Sequence, residues 1–127
     1  MSPAFAGCFV CGDRNPRGLH VRFSTEGEWV RARFTADKSL LGYEHAVHGG
    51  IISALLDEAL IWAVHSKTGR FGVTAELNVR FLKPLRVVTV CFVEGRVVEI
   101  KKRLCVAESW VIDAEGKPYA RGSGKVL

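Results

Sequence analysis

A chain of 127 residues with 48% hydrophobic and 24% charged positions has the length for one packed domain, expected over residues 1–127, and does not need disulfides or metal to fold. Its formal charge of +5 is spread over many segments, with residues 101–103 the only dense basic cluster. No basic arm or aromatic stacking signature accompanies it, which argues against nucleic acid and leaves an anionic small molecule as the expected partner. No run approaches the roughly 20 apolar residues of a membrane span, and MSPAFAGCFVCG lacks the basic start and apolar run of a leader, so a cytoplasmic protein is expected.

The chain opens on a turn, CGDRNPRG, because Gly, Asp, Asn and Pro all favour loop geometries. Cys8 and Cys11 have zinc-ligand spacing, but a structural zinc site needs a second pair of like spacing, and Cys91 and Cys105 lie in separate strand-like runs. The expectation is a structural turn without metal at Cys8 and Cys11, and buried reduced thiols at Cys91 and Cys105. LHVRF (19–23) and WVRARF (29–34) read as two short strands, hairpin-like around STEGE. Residues 35–50 have no sustained periodicity and read as a loop ending in two glycines.

From Ile51 to about Ser66 there is no internal Pro or Gly, and apolar residues fall on every face, which predicts a helix buried all round. KTGR ends it, with Gly69 suited to the stop. The next run, TAELNVRFL, alternates: Ala75, Leu77, Val79 and Phe81 on one face, Thr74, Glu76, Asn78 and Arg80 on the other. VVTVCFVEGRVVEI follows as a long strand in which Gly95 is expected to mark a bulge. RLCVAESWVI and PYARGSGKVL complete the set, joined by the turn DAEGK. Two strands, one buried helix and three or four antiparallel strands make an α+β fold, a long sheet wrapped around a central helix. The side of the helix left uncovered would be buried by a second subunit.

Asp57 and Glu58 stand in the middle of that apolar helix. Adjacent helical residues point about 100° apart, so both cannot face water while their neighbours face the core. An ion pair or an exposed helix edge would account for one acid in a bland way. The HGG that precedes the helix shifts the balance: glycines permit close approach, and the free N–H groups of a first helical turn form an anion or oxyanion site. Gly49 and Asp57 are eight residues apart, about 12 Å along a helix. One carbonyl cannot bond both within a chain, and a working site would combine Gly49 of one chain with Asp57 of another.

CFVCGDRNPRGLHVRF, LGYEHAVHGGIISALLDEAL and VTAELNVRFLKPL together make the chain resemble a hotdog-fold acyl-CoA thioesterase, of the phenylacetate-pathway (PaaI-like) branch of the 4-hydroxybenzoyl-CoA thioesterase superfamily. The resemblance implies hydrolysis of a medium-chain or aromatic acyl-CoA to free acid and CoA. It implies Asp57 as nucleophile or general base, the Gly49 N–H as oxyanion donor with His48 shaping the turn, and Thr74 of the opposite subunit positioning water or carboxylate. Gly50, Glu58, Asn78, Arg80, Lys83 and Arg86 are the expected substrate contacts, with residues 101–103 as further basic candidates. No cofactor is implied, since CoA belongs to the substrate, and the assembly would be a homodimer or a tetramer built from dimers. Many relatives carry Asn or Gln where this chain has Gly42. The competing reading is an acyl-CoA-binding module without catalysis; a dehydratase lacks a supporting signature here.

Overall fold

The computed structural model describes residues 5–127; residues 1–4, part of the stretch read above as lacking a leader, lie outside the described residues. The elements are β1 Ser24–Glu26, β2 Trp29–Thr35, α1 Gly49–Thr68, β3 Thr74–Phe81, β4 Val90–Lys101, β5 Leu104–Ile112 and β6 Pro118–Val126. The strands form one six-stranded antiparallel sheet in the order β1-β2-β4-β5-β6-β3, which leaves β1 and β3 as its edges. β2, β3, β4, β5 and β6 all touch α1, so the sheet curls around the helix. No helix among the described residues is long and apolar enough to cross a membrane.

α1 opens where His48 caps it: the Gly50 N–H donates to His48 Nδ1 at 2.8 Å. The two glycines expected at the end of a loop are therefore the first two helical residues. The helix closes on Gly69, whose φ of 77° places it in the left-handed region and whose N–H bonds the His65 carbonyl.

Strand alternation then decides what meets the helix. Cys105, Ala107, Ser109 and Val111 of β5 point inward and are buried, as are Ala120 and Val126 of β6. Most of these side chains are small because the helix comes close. A Cβ on Gly95 would lie 2.7 Å from the Ala59 carbonyl oxygen, and one on Gly122 3.2 Å from Leu56 Cβ. The buried Ser109 hydroxyl donates to the Leu56 carbonyl at 2.9 Å, tying β5 to the middle of the helix.

Three expectations are corrected. Gly95 is not a bulge: its pairings with Val30 and Ser109 are regular, and the irregularity in β4 falls between Val97 and Glu99. Glycine stands at 95 for space against the helix. Residues 19–23 form no strand; Leu19 and Val21 donate instead to the Phe9 and Val10 carbonyls, and the first hairpin arm is the three-residue β1. Nor is the helix face away from the sheet left wholly to a partner. Cys8, Val10, Leu19, Val21 and Phe23 join the core cluster that contains Ile52, Leu55, Leu56 and Ala59, because the N-terminal turn folds back over it.

Gly95→Ala forces a methyl against a helix carbonyl and is expected to cost about 1–3 kcal/mol of stability. Urea unfolding followed by circular dichroism measures it; an unchanged midpoint would refute the close-contact reading of this glycine.

Candidate functional site

The buried residues of α1 leave a half-open stripe that carries Gly49, Ser53, Ala54 and Asp57, with Gly50 exposed. At its N-terminal end the His48 cap satisfies the Gly50 N–H, and the Ile51 and Ile52 N–H groups bond the His48 carbonyl. The Gly49 N–H has no acceptor among the described residues, as the first turn of a helix requires. The Phe81 ring covers Gly49, since a Cβ there would lie 3.3 Å from it. Val47, Gly49, Ile52, Phe81, Leu82 and Leu85 line an apolar open recess of about 310 Å³ beside this N–H. Gly42 packs directly behind the turn: its N–H bonds the Ala46 carbonyl, and a Cβ on it would lie 2.9 Å from His48 Cα. The missing side chain at 42 is thus matched to the backbone of the His48 turn.

Asp57 sits in the middle of the stripe, half-buried, and Thr74 Oγ1 donates to its Oδ1 at 2.6 Å. The hydroxyl reaches Asp57 within one chain, so Thr74 and Asp57 are supplied together. The physical reason is a register shift between Thr74 and Glu76, opposite Val126 and Lys125 of β6. Simple alternation through β3 puts Thr74 on the same face as Glu76, Asn78 and Arg80. The bulge at Ala75 turns it to the inner face instead, with Leu77 and Val79, while Ala75 is exposed.

Glu58 faces elsewhere. It is 7% exposed, and its oxygens accept from Cys8 Sγ and Cys11 Sγ, each at 3.4 Å, and from Trp62 Nε1 at 3.1 Å. It therefore binds the N-terminal turn and does not share a space with Asp57. Burial raises its pKa above the usual carboxylate range, opposed by the two thiols and the indole, and the neighbouring Asp57 charge raises it further. Burial, followed by the charge of Glu58, likewise pushes the Cys11 thiol up. Cys91 is pushed up to about 12 by burial alone, which leaves it an inert thiol. The link between the CFVC turn and Glu58 was not foreseen; nothing in the spacing of residues 8, 11 and 58 announces it.

The expected basic contacts separate into groups. Asn78 and Arg80 lie on the outer face of β3, away from α1, where they line a groove with Trp110 and Arg121. The structure does not bring them to Asp57. Lys83 borders the recess beside Gly49 and pairs with Asp113 at 3.2 Å, and the exposed Arg86 is bridged to Ala46 in the same region. Residues 101–103 form the β4–β5 turn near the other end of the helix, where Cys105 packs on Leu60 and Val64.

A family model described as Thioesterase superfamily matches residues 44–120. A protein of Saccharolobus solfataricus that bears an esterase name is 32% identical over 100 residues, covering 78% of this chain and 66% of that protein. The chain spans smaller shares still of the other curated relatives it matches. The PaaI protein of E. coli, from a phenylacetic acid degradation operon, superposes with a TM-score of 0.77 at 22% identity, covering 85% of this chain and 82% of that one. A Streptococcus pneumoniae thioesterase solved with coenzyme A also gives 0.77 at 22%, covering 84% and 86%. These likenesses establish the fold as the expected hotdog: an antiparallel sheet around one central helix.

Gly42→Asn, which supplies the amide many relatives carry, is expected to displace the His48 turn and lower stability by about 1–3 kcal/mol. Thermal unfolding of the two proteins side by side decides it; a variant as stable as the parent would show that the turn has room.

Proposed function

The chain belongs to the thioesterase superfamily, and from that premise we propose that it hydrolyses acyl-CoA thioesters, with Asp57 as the reacting carboxylate and the Gly49 N–H as the oxyanion donor. The observation that carries this reading is the Thr74–Asp57 hydrogen bond, set on a half-open stripe of a largely buried helix. A carboxylate with one oxygen held by a hydroxyl is oriented and keeps its other oxygen for chemistry. Asp57 either attacks the thioester carbonyl or takes a proton from the water that does. In both cases the carbonyl oxygen gains charge and settles on Gly49 N–H, the C–S bond breaks, and the CoA thiolate takes up the proton that water gives up. The general-base route yields the free acid at once, whereas attack by Asp57 first yields a mixed anhydride that water then cleaves to the acid and restored Asp57.

Gly49 and Asp57 stand on one continuous helix, about 12 Å apart along its axis. The site we infer therefore pairs Gly49 of one chain with Asp57 of a second in a homodimer. Two features support that assembly. β3 is an edge strand with free backbone groups, and Val73, Phe81, Leu82 and Val88 at or beyond its ends are exposed. The apolar recess at Gly49 suits a medium-chain or aromatic acyl group, and Lys83 on its flank, with Arg86 bridged to Ala46 nearby, suits CoA phosphates. The coenzyme A held by the Streptococcus pneumoniae protein of the same fold is in keeping with this ligand.

Two variants test the roles. Asp57→Asn should leave the assembly intact and abolish thiol release across an acyl-CoA panel. Gly49→Pro removes the N–H at the first helical position, where proline is tolerated, and His48 at φ −56° and ψ 134° already has the backbone that precedes proline. It should lower kcat by about 100–1000-fold. Each variant alone is inactive, yet a refolded equal mixture should recover about a quarter of native turnover, because mixed dimers hold one intact composite site. No recovery in the mixture would refute the shared site. A saturable thermal shift with CoA esters, without thiol release by the native protein, would refute catalysis and favour a binding module.

A further inference from the structure

The mechanism uses Asp57 and leaves its neighbour unexplained. Glu58 is buried, and around it the fold collects two thiols from a turn more than forty residues away in sequence. Ordinary core packing would not choose this set. Thiols are weak donors to a carboxylate, and an apolar residue at 58 would fill the same space without burying an acid.

We propose that Cys8, Cys11 and Glu58 form a zinc site with one open coordination position. All three ligand atoms lie within 4.8 Å of one another. A tetrahedral zinc with Zn–S of about 2.3 Å and Zn–O of about 2.1 Å places sulfur and oxygen about 3.6 Å apart. Here Cys8 Sγ lies 3.4 Å from Glu58 Oε1 and Cys11 Sγ 3.4 Å from Oε2, so each sulfur has one carboxylate oxygen at ligand range. The donor chemistry agrees. Two thiolates and a carboxylate are three anions that cannot share a buried pocket alone, and a divalent, borderline-soft cation lets all three deprotonate together. The two sulfur donors also disfavour magnesium and calcium, which take oxygen ligands.

The surroundings are built to orient these ligands. The Cys11 N–H points at Cys8 Sγ at 3.5 Å, and the Trp62 indole N–H holds Glu58 Oε2 at 3.1 Å. Such outer contacts fix ligand direction in metal sites. Gly12 lets the loop fold back on itself: a Cβ there would lie 2.4 Å from the Cys8 nitrogen and 2.5 Å from the Ala6 oxygen. Cys8 is only half-buried, which gives an ion a way in and leaves the fourth position to water. An ion at this place clamps the N-terminal turn onto the helix at the residue beside Asp57. The inference does not depend on the thioesterase reading, because its test measures metal and not turnover.

The experiment uses the full chain, reduced, stripped with chelator and dialysed against zinc. About one zinc per chain is expected, and cobalt in its place should give a sulfur-to-metal charge-transfer band. Zinc at a hundredfold excess over Kd should raise Tm by roughly 10 °C. Cys11→Ser should lose the cobalt band. Trp62→Phe, which keeps all three ligands, should loosen zinc by about 10–100-fold with circular dichroism unchanged, and Cys105→Ser should bind as the native chain does. Absence of zinc and of the cobalt band in the native protein, a Cys8–Cys11 disulfide persisting under thiol, or binding that survives Cys8→Ser with Cys11→Ser would each overturn the site.

Discussion

The contact between the middle of α1 and the inner face of the sheet constrains the rest of the molecule. Ala59 lies against Gly95 of β4, and Leu56 against Gly122 of β6, with Ser109 bonded to the Leu56 carbonyl. At these separations the helix can neither rotate nor slide without driving a side chain into backbone. Its rotation is fixed by apolar and small residues alone. The directions of Asp57 and Glu58 follow, since they lie between Leu56 and Ala59 on the same turn. Packing residues that do no chemistry thus decide which acid meets Thr74 and which meets the cysteine turn.

The two acids then have opposite surroundings although they are adjacent. Asp57 is half-buried and bound by a hydroxyl, a partner that stabilises a carboxylate while leaving it reachable. Glu58 is buried beneath residues 8–11 and pushed toward its neutral form by burial. Two charges on successive residues of a buried helix would repel and be costly to desolvate. The fold resolves the conflict by sending one to the rim of the sheet and the other to two thiols and an indole under a covering loop.

Much of this was legible because it rests on composition and period. An apolar run without Gly or Pro gave α1, and turn residues at 69 and 113–117 marked where elements stop. The departures share one cause: local pattern carries no information on distance between elements. Gly95 looks like a bulge along its own strand, and only the position of Ala59 shows that it makes room for the helix. Strict alternation puts Thr74 on the outer face, and only the offset against β6 shows that Ala75 is looped out. Residues 19–23 have strand composition, but Leu19 and Val21 spend their N–H bonds on Phe9 and Val10 while their side chains join the core over the helix. Cys8, Cys11 and Glu58 meet in the same way, through a chain reversal that spacing does not encode.

That covering loop has a consequence for assembly. A hotdog chain must hide the helix face that its own sheet cannot reach, and here residues 8–23 hide one flank while the stripe from Gly49 to Asp57 stays half-open. The open stripe borders β3, which is also the free edge of the sheet and the strand that supplies Thr74. Sheet extension and site formation therefore draw on the same residues in the proposed dimer. A strand edge left solvated would expose unpaired backbone groups and Val73 and Phe81 together. Pairing there would remove that liability while bringing a second Gly49 toward the first Asp57, so the driving force for association and the geometry for catalysis would have one origin.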